Sequence, residues 1–173
     1  MTSIWLQTQP IAYEDLAFFQ GVAEQTKQFW EHAPSLGQTK RAFDAQEFPN
    51  ENRYVANCGF RSLSRLPSLK RALHHFCQAK GFATNSNAIV YNPMSFMPWH
   101  TNSNAPGRRH YFTYTQGEAM FRWQHPITGQ THEEIEIPGW TYRTFVISPS
   151  THLWHTIWTA QTRLSFGFRS KLS

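Results

Sequence analysis

The stretch AIVYNPMSFMPWHTN (Ala88–Asn102) sets the fold class expected of this chain. AIVYN and FMPWHTN are short runs rich in β-branched and aromatic residues, and Pro93 falls between them as a break. That texture predicts two strands joined by a turn rather than a helix. Toward the C-terminus six more such runs follow: RHYFTYT, AMFRWQ, EEIEI, YRTFVIS, LWHTIWT and RLSFGFR. Gly, Pro and Asn clusters separate them, and in the turn HPITGQ it is Gly129 that is free to take positive φ.

Toward the N-terminus the periodicity becomes helical. Between Tyr13 and Trp30, Leu16, Phe19, Ala23 and Phe29 fall on one face, with Glu14, Asp15, Glu24 and Lys27 outside it. A second helix is predicted from Pro67 to Lys80: Pro67 suits a first turn, Leu69, Leu73, Phe76 and Cys77 form a stripe, and Gly81 supplies the stop. The intervening FPNENRYVANCGFRSLSRLPS is irregular and reads as a surface connection or short strands. The expected fold is mainly β with N-terminal helices (α+β): an eight-stranded jelly-roll, cupin-like barrel backed by helices on one sheet. Residues 1–173 are expected to form one domain, with 1–84 as helical support and 85–173 as the jelly-roll core.

Apolar residues make up 40% of the chain and aromatics 16%, which favours a packed core over disorder. No apolar run approaches the roughly 20 residues of a membrane span. MTSIWLQTQP lacks the basic and then apolar regions of a secretory signal, so a cytoplasmic protein with no membrane partner is expected. Cys58 and Cys77 are too few for a disulfide framework and read as buried and reduced. The formal charge of +5 favours anionic partners, but GRRH (Gly107–His110) and LKRALHH (Leu69–His75) are weak as a nucleic-acid patch. Arg108 and Arg109 read as a solvated loop pair.

Strand alternation sorts the polar residues. His100 and Asn102 share a face. His155 shares one with Leu153 and Ile157, while Trp154, Thr156 and Trp158 face away. In the last run Arg163, Ser165, Gly167 and Arg169 lie on one side and Leu164, Phe166 and Phe168 on the other. If the polar side is the interior, two guanidiniums are enclosed there. An unpaired buried charge is too costly to stand, and on this reading no carboxylate alternates onto those faces. The expected partner is therefore a ligand carrying one or two carboxylates, which Arg binds through two parallel hydrogen bonds.

In order and spacing these residues resemble the iron(II)- and 2-oxoglutarate-dependent oxygenases, in their AlkB-like or prolyl-hydroxylase-like branches. YNPMSFMPWHTN resembles the family's Y-x-P-G-x-x-I-x-x-H-x-D stretch, with Met94 at the usual Gly and Asn102 at the usual acid. RLSFGFR resembles the R-x5-R ending of the AlkB-type branch and also contains the R-x-S of others. The resemblance spans Ile89 to Arg169. It implies that His100, Asn102 and His155 hold Fe(II), and that Arg163, Ser165 and Tyr91 bind 2-oxoglutarate. It places Arg169 near the keto-acid end, with His100, His155 and Arg169 as the catalytic set. The implied reaction consumes O2, turns 2-oxoglutarate into succinate and CO2, and hydroxylates or demethylates a second substrate, with ascorbate as reductant. That substrate is expected to be a protein side chain or small metabolite, with a nucleic-acid base still open.

Three alternatives stay open at this point. His152 competes with His155 as the distal ligand; alternation favours His155. Because Asn102 is neutral, water or another carboxylate such as Glu118 competes for the third position. A cupin-like protein that binds a small carboxylate without redox chemistry is the alternative function. His32, His74, His75, His125 and His132 read as structural or surface residues, and Trp99, Trp123, Trp140 and Trp154 chiefly as core with some chance of walling a cleft.

Overall fold

The computed structural model describes residues 6–48, 60–63, 65–101, 106–148 and 153–172. The eight predicted runs form eight strands: β3 (Thr84–Tyr91), β4 (Ser95–His100), β5 (Gly107–Thr115), β6 (Ala119–Gln124), β7 (Thr131–Glu136), β8 (Gly139–Ile147), β9 (His155–Thr159) and β10 (Arg163–Ser170). Two more strands come from the N-terminal part: β1 (Leu6–Gln9), which was not expected, and β2 (Phe60–Ser62), inside the irregular stretch read as a surface connection or short strands. The helices are α1 (Tyr13–Thr26), the short α2 (Lys40–Asp44) and α3 (Pro67–Lys80).

All strands pair antiparallel in two sheets, ordered β1-β8-β5-β10-β3-β2 and β4-β9-β6-β7. From β3 to β10 the chain passes back and forth between the sheets, as in a jelly roll. The expected closed eight-stranded barrel is not what forms. β1 joins β8 and β2 joins β3, widening one sheet to six strands while the other keeps four, so both sheets retain edges. None of the described helices is long and apolar enough to cross a membrane.

Helices α1 and α3 cover the outer face of the larger sheet, whereas Phe43 of α2 packs with Met120 and Trp158 on the smaller one. Pro67 stands at the start of α3, and Gly81 ends it in the left-handed region at φ 67°, with Phe82 N–H donating to the Cys77 carbonyl at 2.9 Å. The predicted stripe Leu69, Leu73, Phe76 and Cys77 is buried. In α1, Phe19 and Ala23 are buried as expected, but Phe29 is 39% exposed. A 3-10 turn over Lys27–Phe29 rotates Phe29 off the buried face, and Trp30 packs inward instead, donating from Nε1 to the Ala23 carbonyl at 3.0 Å. Phe19 is the centre of this layer, stacked on Phe112 at 4.4 Å and close to Phe76 and Phe166 at 5.0 and 5.3 Å. Phe19→Ala is expected to cost about 3–5 kcal/mol of stability, read as a lowered urea midpoint with unchanged slope.

Strand alternation divides the larger sheet as predicted. Leu164, Phe166 and Phe168 of β10 join the helix-side core, together with Ala88, Val90 and Phe112. Trp140 packs on that side too, against Phe19 and Phe166, so it walls no cleft between the sheets. Ile89, Tyr91, Phe145 and Ile147 face the other way and meet Phe121, Leu153 and Ile157 between the sheets. At Gly167 a side chain has no room: a Cβ would lie 2.5 Å from Asn87 Oδ1 and 2.8 Å from Tyr111. Met94 occupies the left-handed region at φ 50°, which accounts for the glycine that the resembling motif carries at this place.

Candidate functional site

The site is built between the sheets, where β4 and β9 run side by side. Their pairing slips between Met97 and His100, at Pro98, which has no N–H to give to the ladder. Beyond the slip, His100 stands directly opposite His155. Both side chains are buried, at 7% and 3% exposure, with ring centroids 4.0 Å apart and planes at 56°.

Each ring is fixed by a backbone carbonyl two residues before it. His100 Nδ1 lies 2.8 Å from the Pro98 oxygen, and His155 Nδ1 lies 3.1 Å from the Leu153 oxygen. A carbonyl only accepts, so Nδ1 carries the proton in both rings and Nε2 keeps its lone pair. Burial pushes His100 down to about 4 against the opposing pull of the Pro98 carbonyl. Burial, then the neighbouring His100, holds His155 well below the usual imidazole range. Both rings are neutral at pH 7. Phe121 and Phe145 flank His155 at 5.6 and 5.5 Å. Trp123 is its partner across β6 and β9, and Trp123 Nε1 is a buried donor with no acceptor among the described residues.

Arg163 lies on the interior face, as the alternation of β10 predicts, and is 2% exposed. The expectation that it awaits a ligand's carboxylate is corrected by Glu136, at the end of β7. Arg163 Nε donates to Glu136 Oε2 at 2.7 Å and Nη2 to Oε1 at 3.0 Å. Arg143 of β8 completes the cluster: Nη1 donates to Glu136 Oε1 at 2.7 Å, Nη2 to Glu134 Oε2 at 2.9 Å, and Nε to the Thr8 hydroxyl at 3.2 Å. Tyr91 is buried with its ring beneath the Arg163 guanidinium, 5.3 Å from ring centroid to Cζ, and its hydroxyl donates to Met97 Sδ at 3.7 Å. Ser165 is buried on the same face, between Ile89 and Thr113 in register.

Burial by itself would raise the Glu136 carboxyl, but Arg163 and Arg143 together bring it down to about 2. Because this value is below the ordinary 4.5, the charged cluster stabilises the fold fully above pH 4.5, and that contribution fades as pH falls toward 2. The thermal midpoint is therefore expected to drop across that window, and Glu136→Gln to flatten the drop, as followed by circular dichroism at stepped pH.

Arg109 is also corrected. It lies in β5, not in a solvated loop, is 4% exposed, and stands directly opposite Arg169 of β10. Burial, and to a lesser degree the charge of Arg169, pull its guanidinium below the usual value. Arg169 itself is half-buried. Glu118 is exposed in the turn between β5 and β6, beside Ala119, which pairs with Thr159 at the end of β9 remote from His155; it supplies no third ligand. Asn102, His152 and Cys58 lie outside the described residues, and Cys77 is a buried free thiol. Among the described residues no three of His, Cys, Asp and Glu gather as a metal cluster.

Glu136, Glu134, Arg143 and Arg109 were missed from sequence. The signal for the first two was present: in EEIEI, Glu134 and Glu136 alternate together, and the face given to them depends on whether Ile135 is read as pointing in or out. It points out, at 64% exposure.

No protein-family model matches the chain, and no curated protein matches it. Among solved structures 46 chains match. One is a prolyl-4-hydroxylase from Pseudomonas putida, with a TM-score of 0.51 and 12% sequence identity, over 99% of this chain and 95% of that one. The likeness is one of fold: this chain has the two-sheet antiparallel architecture on which that hydroxylase is also built.

Proposed function

We propose that the chain is a metal-dependent oxygenase in which His100 and His155 hold a divalent transition metal, iron(II) being the ion the resemblance implies. One observation carries this reading: two neutral imidazoles from adjacent strands are buried together, each with Nδ1 tied to a carbonyl and Nε2 left as a lone-pair donor. That donor set suits iron(II), and the carbonyl behind each ring fixes its tautomer and orientation as a metal ligand needs. Bound there, iron(II) would supply the activation of O2 toward a C–H bond of the substrate, with an external two-electron reductant such as ascorbate balancing the reduction of the second oxygen atom to water. The protein's own part is to hold both rings rigid, to keep water away with Phe121 and Phe145, and to offer the Trp123 N–H to an acceptor on an incoming molecule. Asn102 belongs to this proposal as a third ligand. The likeness to a prolyl-4-hydroxylase supports hydroxylation, with a protein side chain or small metabolite as substrate.

Iron(II) fits the residues present; 2-oxoglutarate does not. Arg163, Tyr91 and Ser165 sit on the expected face, but the guanidinium already holds a carboxylate of the chain itself. No step is assigned to that co-substrate, and the reading of the chain as a plain carboxylate-binding protein loses the same arginine. The test is anaerobic titration with Co(II), followed by the visible spectrum. One equivalent bound with the bands of imidazole ligation is expected, and no uptake, or uptake indifferent to His100→Ala, would remove the reading.

A further inference from the structure

We propose that Glu136 is the chain's own carboxylate in the place that the distal carboxylate of a keto-diacid needs, so a ligand that reaches Arg163 offers it a neutral hydrogen-bond acceptor instead. The charge count supports this. Arg143 and Arg163 are each 2% exposed and are matched by the buried Glu136 and by Glu134, whose side chain is 33% exposed, so the cluster is already neutral in sum. A further carboxylate brought there would be an uncompensated buried charge, next to the Glu136 oxygens that already hold two of the Arg163 nitrogens. What is left on Arg163 is Nη1, a buried donor with no hydrogen-bond partner. A carbonyl, amide or hydroxyl oxygen satisfies such a donor without adding charge.

The inference concerns the arginine end alone and does not depend on a metal at the two histidines, so its test runs both with and without one. The probes are 2-oxoglutarate and acetate, titrated by calorimetry and by thermal shift into the wild-type chain and into Glu136→Ala. Wild-type protein is expected to bind 2-oxoglutarate more weakly than about 1 mM, with an unmoved melting temperature, whether or not Mn(II) is added. In Glu136→Ala the emptied place beside two guanidiniums is expected to accept acetate and raise the melting temperature by about 5 °C. Micromolar binding of 2-oxoglutarate to wild-type protein overturns the inference, as does a folded Glu136→Ala that acetate leaves unmoved. If Glu136→Ala does not fold, the wild-type titration decides in either direction. Metal uptake is measured on the same samples, so loss of the metal reading and loss of this inference are told apart.

Discussion

Glu136→Ala is expected to lose about 3–5 kcal/mol of unfolding free energy, as much as the loss of a large core aromatic, although it removes only a short polar side chain. The reason lies in what remains. Arg163 keeps its place on β10 with no carboxylate, and Arg143 retains only Glu134. Two guanidiniums at 2% exposure cannot reach water without parting the sheets. Removing one member of a buried ion cluster therefore costs far more than the cluster's net worth, because the desolvation of its partners stays unrepaid. The complementary experiment separates these quantities. Replacing Glu136, Arg143 and Arg163 together with apolar residues of similar volume should recover most of the loss, whereas a cluster that stabilises strongly in its own right would leave the triple variant as weak as the single one. Urea unfolding of the three proteins measures both.

The second large effect is on metal binding. His100→Ala and His155→Ala should each weaken divalent-metal affinity by more than about 100-fold, the upper range seen when only an outer-shell partner of a ligand is removed. The variants should fold, since the apolar neighbours Phe121, Phe145 and Ile157 remain around the gap. A wild-type chain at a metal concentration of 100 times Kd gains about 2.7 kcal/mol by mass action. The variants should gain almost none. Equal metal-dependent gains in all three proteins would mean that the metal sits elsewhere.

Much of this was legible in the sequence because period-2 alternation is strict. His155 with Ile157, and Arg163 with Ser165, Gly167 and Arg169, could be placed on the interior face without coordinates, and that is where they lie. The eight strands were legible for the same reason. The facing of β7 was not, because its pattern is inverted: Glu134 and Glu136 turn to two arginines, while Ile135 and Ile137 stand 64% and 72% exposed. A rule that sends isoleucine inward gives the wrong face here, and with it the wrong conclusion that Arg163 has no carboxylate. Arg109 escaped for a different reason: GRRH reads as a basic loop even though Arg109 already heads the predicted run RHYFTYT, where alternation puts it on one face with Tyr111 and Thr113. The edge strands β1 and β2 are four and three residues long, too short to show a period, and they turn the expected barrel into two unequal sheets.

Anomalous scattering at the iron absorption edge, from crystals of the full chain grown with iron(II) and without oxygen, tests the proposed centre most directly. A single strong peak bonded to Nε2 of both His100 and His155 is the predicted result. No peak, or a peak that touches neither imidazole, would contradict it.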